Sequence, residues 1–74
     1  MSKSEAAELR ELAERLRSAR NRAGLTQEAL AARADVDYRR YQRLEQGRVN
    51  ATFKTLVRVA SALEISVWQL LAGR

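Results

Sequence analysis

Cysteine, histidine and proline are absent from this sequence, and glycine occurs only at Gly24, Gly47 and Gly73. Each absence excludes something. Without Cys and His there is no zinc site of the usual nitrogen and sulfur type, no thiol nucleophile and no imidazole base for a Ser-His-Asp arrangement. Ser, Asp and Glu alone would have to carry catalysis, and no paired-carboxylate cleft can be assigned, so an enzyme is not expected, nor a cofactor or metal. No disulfide can brace the chain of 74 residues, and below about 80 residues a single core rarely supplies more than roughly 3–5 kcal/mol. Some further support, such as a second subunit, is expected. Apolar runs are only a few residues long, against the roughly 20 that span a bilayer. The start, Met1-Ser2-Lys3-Ser4, leads into mixed Glu and Arg with no apolar signal core. The expectation is one soluble, cytoplasmic domain over residues 1–74, its first four residues flexible, without a membrane partner.

What the sequence does hold is charge in a helical pattern. Fourteen Lys and Arg outnumber nine Asp and Glu, giving +5. Without proline, three-and-four periodicity runs freely between the glycines. From Ser4 to Ala23, Leu9, Leu12, Ala13, Leu16, Ala19 and Ala23 form one apolar stripe, and Gly24 supplies a left-handed stop. Thr26 caps a second helix that buries Leu30, Ala31 and Ala34. Asp35-Val36-Asp37 then breaks the pattern, with Asp35 able to turn left-handed and Asp37 able to cap a third helix from Tyr38 to Gln46. After Gly47, Thr52 caps a fourth helix whose inward phase is read as Phe53, Leu56, Val59, Ala60 and Leu63. Ser66 and Gln69 form a capping-box pair that opens a fifth, with Val67, Leu70 and Leu71 inside. The fold class is all-α: a compact bundle of five helices.

The second and third helices, joined by a three-residue turn, have the form of a helix-turn-helix spanning about residues 26–47. On the third, Tyr41 and Leu44 face inward, which leaves Tyr38, Arg39, Gln42, Arg43 and Gln46 on the other side. The guanidinium fork matches O6 and N7 of guanine, so Arg39 and Arg43 are the leading candidates for base contacts. Tyr38 suits a thymine methyl or a phosphate, and Gln42 suits adenine or support of a neighbouring arginine. Arg40 lies at the flank, open to a phosphate, a base or Asp37. Between Arg33 and Arg58, seven basic residues face three acidic ones. Such a balance makes nucleic-acid affinity fall with salt through counterion release.

Gly24-Leu25-Thr26-Gln27-Glu28-Ala29-Leu30-Ala31, then Glu45-Gln46-Gly47-Arg48-Val49-Asn50, then Leu56 to Leu71 with Ala62-Leu63-Glu64-Ile65-Ser66, stand in the order and spacing of the lambda-repressor-like helix-turn-helix regulators (Cro, repressor and Xre proteins). The resemblance covers about Leu12 to Leu71. It implies a compact five-helix lambda-repressor-like bundle, binding to double-stranded DNA and a two-fold homodimer. Carried over by position, Gln27 resembles the phosphate-binding glutamine at the start of the second helix. Arg48, Asn50 and Lys54, with the backbone amides near Thr52 and Phe53, resemble a second phosphate clamp. Arg20 and Glu45 match an arginine–carboxylate pair that ties the first helix to the third. The sequence departs from the family at Asp35, where Gly is usual, and at Tyr41, where Ile or Val is usual.

Trp68 falls off the inward phase of the fifth helix. A large aromatic left to solvent suggests an interface, so Trp68 with Val57 is the candidate dimer contact, the alternative being lateral packing on Ile65. The functional expectation is a sequence-specific transcriptional regulator, dimeric on a roughly palindromic operator. It would act by occupancy and by competition with, or contact to, RNA polymerase. Its Tyr- and Arg-rich third helix resembles the restriction-modification controllers most closely. The rival is an antitoxin-like or adaptor module that uses the same scaffold to bind an acidic protein.

Overall fold

Periodicity and caps together produce five helices in the computed structural model, which describes residues 2–49 and 51–72. They are α1 (Lys3–Arg22), α2 (Gln27–Ala34), α3 (Tyr38–Glu45), α4 (Phe53–Ala62) and α5 (Val67–Ala72), with no strand among the described residues. Each start is set by a short polar side chain that accepts from a backbone amide three residues on. Thr26 accepts from Ala29 at 3.0 Å, Asp37 from Arg40 at 3.1 Å and Thr52 from Thr55 at 3.1 Å. Ser66 and Gln69 reciprocate, at 3.1 and 2.8 Å, completing the capping box. Ser2 caps α1 through the Glu5 amide at 3.1 Å, and Lys3 and Ser4 form the start of its first turn. Met1 lies outside the described residues.

The core is one cluster. Leu16 of α1, Leu30 of α2, Tyr41 of α3 and Val59 of α4 are fully enclosed, with Leu44, Leu56, Leu63, Val67 and Leu70 packed around them. Helix α2 lies on α3 and α4, α1 lies on α3 and α5, and α4 lies on α5. Thus α3 is held from one side by α1 and α2, and its opposite side is open. Two expected inward residues differ. Phe53 is 53% exposed and Leu71 is also exposed. In each short helix the inward phase is carried by other residues, Leu56, Val59 and Ala60 in α4 and Val67 and Leu70 in α5. One helical turn places Phe53 and Leu71 at the flank of that phase. No described helix is long and apolar enough to cross a membrane.

Two non-glycine residues take left-handed backbone: Asp35 (φ 55°), which turns α2 into α3, and Glu64 (φ 60°), which turns α4 toward α5. For Asp this conformation is tolerated; for Glu it carries a Cβ penalty. Glu64→Gly should therefore raise stability by about 0.5–1 kcal/mol, read as a higher midpoint in urea unfolding. A lower midpoint would show that the Glu64 side chain stabilises the turn.

Candidate nucleic-acid interface

The seat of α3 is built around one buried charge. Glu45, 2% exposed, ends α3 and receives two bonds from Arg20 of α1, Nε to Oε2 at 2.6 Å and Nη2 to Oε1 at 3.0 Å. The Gln27 side-chain amide adds a third at 3.1 Å, which brings in the start of α2. Arg20 also donates to the Leu25 carbonyl at 2.9 Å, and Arg17 donates to the Glu45 carbonyl at 2.5 Å. Burial pushes the Glu45 carboxyl up, but the bonds from Arg20 and Gln27 and the Arg20 charge outweigh it and hold it below its ordinary 4.5. The bond to Glu45 raises the Arg20 guanidinium in turn. Tyr41 packs beside the pair. Burial first, and then the charge of Glu45, push its phenol upward, so it stays neutral, and its enclosed hydroxyl has no hydrogen-bond partner among the described residues.

Helix α3 leaves this seat through Gly47. The Gly47 amide donates to Leu44 and the Arg48 amide to Arg43, both at 3.1 Å, the pattern of a left-handed helix end. Gly47 has φ 69°, and a Cβ there would lie 3.2 Å from the Arg10 backbone. Both the left-handed turn and the close approach to α1 therefore favour glycine.

With Tyr41, Leu44 and Glu45 turned in, Tyr38, Arg39, Arg40 and Arg43 are exposed on the other side. Gln42, half-buried, donates to the Tyr38 hydroxyl at 3.1 Å. Among the described residues the ion pairs are Arg15–Glu11 and Arg20–Glu45, so the three arginines of this face have no carboxylate partner. The face is cationic, uncovered and rich in donors, which is what phosphates and guanine edges accept from. Gln27 lies at the start of α2 with one amide bond committed to Glu45. Arg48, Thr52 and Lys54 are exposed in the loop and first turn of α4, and Thr52 is engaged as the cap. The opening amides of α4 lack partners within the helix and face the end where its dipole favours an anion. Asn50 lies outside the described residues.

Trp68 is 67% exposed, and its ring partner is Phe53, with centroids 5.7 Å apart at 46°. Val57 is 41% exposed. Phe53 thus belongs to an outer apolar flank of α4 and α5 and not to the core. Sequence reasoning missed that partnership, although Phe53 and Val57 are four apart and share a flank. It also missed Arg17, which lies one turn before Arg20 and so points the same way.

Two measurements probe the seat. Because the carboxyl of Glu45 is depressed on folding, its contribution is fully present above the ordinary carboxylate range and is lost as pH falls through the lowered value. Glu45→Gln should be less stable than wild type near about pH 7, with the gap narrowing toward about pH 3, in urea unfolding at each pH. A gap independent of pH would contradict a charge-based seat. Arg20→Ala, which leaves a buried carboxylate unpaired, should cost about 3–5 kcal/mol, seen as largely unfolded chain by circular dichroism.

Comparison with known proteins places this geometry. The family model described as helix-turn-helix matches residues 16–67. The chain is similar to the restriction-modification controller protein C.AhdI from Aeromonas hydrophila, with a TM-score of 0.85 and 33% identity over 86% of this chain and 97% of that one. It is similar also to the clp gene regulator ClgR from Corynebacterium glutamicum, with a TM-score of 0.85 and 32% identity over 89% of this chain and 70% of that one. No curated protein sequence matches it. An α3 seated on a buried Arg–Glu pair, its basic face outward, sits within a matched span that covers most of the molecule, and the chain belongs to the helix-turn-helix family, in its lambda-repressor-like (Xre) branch.

Proposed function

We propose that the chain reads a specific duplex sequence with α3, as a homodimer on a roughly palindromic operator, and controls transcription by occupying it. One observation carries the reading. The side of α3 opposite its seat presents Arg39, Arg40 and Arg43 to solvent with no acidic partner among the described residues. Arg39 and Arg43 would take guanine edges, with Tyr38 and Gln42 beside them. Gln27, Arg40, Arg48, Asn50 and Lys54, with the amides at Thr52 and Phe53, would hold phosphates. The likeness to a restriction-modification controller supports control of restriction-modification genes as the setting. RNA polymerase is the expected competitor or contact, in the cytoplasm.

Dimerisation has a geometric argument. Successive major-groove turns on one face of DNA are about 34–36 Å apart, whereas the described residues extend 32 Å along their longest axis and hold one such helix. A second copy is needed to read the second turn. The outer flank of Val57 and Trp68, with Phe53 against the indole, is the proposed contact between copies. Burying it would add the support that so small a core calls for.

Selection from a random duplex pool tests the reading. Arg39→Ala and Arg43→Ala should each lose preference at a different base position, by about 1–3 kcal/mol. Lys54→Ala should weaken all sequences alike and lower the salt slope by about one unit. An unchanged selected motif in both arginine variants would remove the base-contact assignment. Binding without sequence preference at every ionic strength would favour the adaptor reading. In sedimentation equilibrium, Trp68→Ala should shift dimer toward monomer; an unchanged dimer would move the interface elsewhere.

A further inference from the structure

Val49 has no part in the reading above. It follows the left-handed Gly47, in a loop fastened to the end of α3 by the bond from the Arg48 amide to the Arg43 carbonyl at 3.1 Å. Val49 is half-buried and backed by the core. With Asp37, Arg39, Arg40 and Arg43 it lines an open recess of about 350 Å³ beside the outward face of α3. The Asp37 carboxylate in that wall is already engaged as the cap of α3. What remains free is three guanidinium groups and one apolar surface.

Resting on the duplex reading, we propose that Val49 is a specificity-determining residue that packs on the C5-methyl of a thymine next to a guanine held by Arg43. A phosphate in this recess would use the arginines and gain nothing from a valine. Among base edges in the major groove, the thymine methyl is the one apolar group, and guanine O6 and N7 are the acceptors to which an arginine fork donates. A thymine beside a guanine therefore uses both kinds of wall at once. The branched side chain of Val49 is stiff at χ1, and its backing by the core offers the methyl a fixed surface.

Deoxyuridine tests this directly, since it keeps every hydrogen-bonding group of thymine and removes only the methyl. In the best duplex selected by the wild-type chain, each thymine is replaced singly and affinity is measured. One position per half-site should lose about fourfold, the worth of burying one carbon, and it should adjoin the guanine whose preference disappears in Arg43→Ala. Val49→Ala should bind the thymine and uracil duplexes alike. Val49→Thr, which keeps the volume that supports the fold, should reduce the difference. Equal wild-type affinity for uracil at every position, or an undiminished loss in both variants, would overturn the role of Val49 while leaving the duplex reading in place. A chain that selects no duplex sequence at all would overturn that reading and this proposal with it.

Discussion

The bidentate bond between Arg20 and Glu45 is the constraint on which the geometry of this molecule turns. Helix α3 has eight residues, too few to be stable alone in water, where roughly 12–15 are marginal. Its orientation is therefore imposed from outside. An apolar contact through Tyr41 and Leu44 would hold α3 down but allow it to roll or slide. A carboxylate that accepts two bonds from one guanidinium fork and a third from Gln27 fixes it in rotation as well. Buried ion pairs add little stability compared with well-packed apolar groups of the same volume. The contribution of this one lies in direction: it joins α1, α2 and α3 at a single carboxylate, and the outward face of α3 is defined relative to that point.

The same small size leaves a surface that the core does not cover. Phe53, Val57, Trp68 and Leu71 are all exposed large hydrophobics of α4 and α5. A bundle this short cannot turn every apolar residue inward, since its surface is large for its volume. The rings of Phe53 and Trp68 cover one another in part. The distribution of charge and apolar surface is thus divided between the basic side of α3 with its adjoining loop and the apolar flank of the last two helices.

Much of this was legible in the residues themselves. Thr26, Asp37, Thr52 and Ser66 mark helix starts because a short polar side chain competes for the first free amides, a local effect that needs no tertiary knowledge. Asp35 and Gly47 mark stops for an equally local reason, the left-handed backbone. The inward phase of α3 could be counted from Tyr41 and Leu44. What could not be counted was lateral position at helix ends. Phe53 and Leu71 stand three or four residues, or one, from inward positions, but each lies at the flank of the phase that Leu56, Val59 and Ala60, or Val67 and Leu70, carry. The bond from Arg17 to the Glu45 carbonyl depends on how α1 crosses α3, which one-dimensional spacing does not specify. The place of Val49 beside the arginines follows from the turn at Gly47 and not from any period.

Separation of the two sides of α3 has a consequence for how such a chain diversifies. Tyr41, Leu44 and Glu45 hold the helix in place, while Tyr38, Arg39, Arg40 and Arg43 make no bond to α1, α2 or α4 among the described residues. Surface substitutions of that kind usually change stability by about 0.5 kcal/mol or less. Descendants of this sequence can therefore exchange their outer residues and acquire new targets without first having to solve the folding problem again.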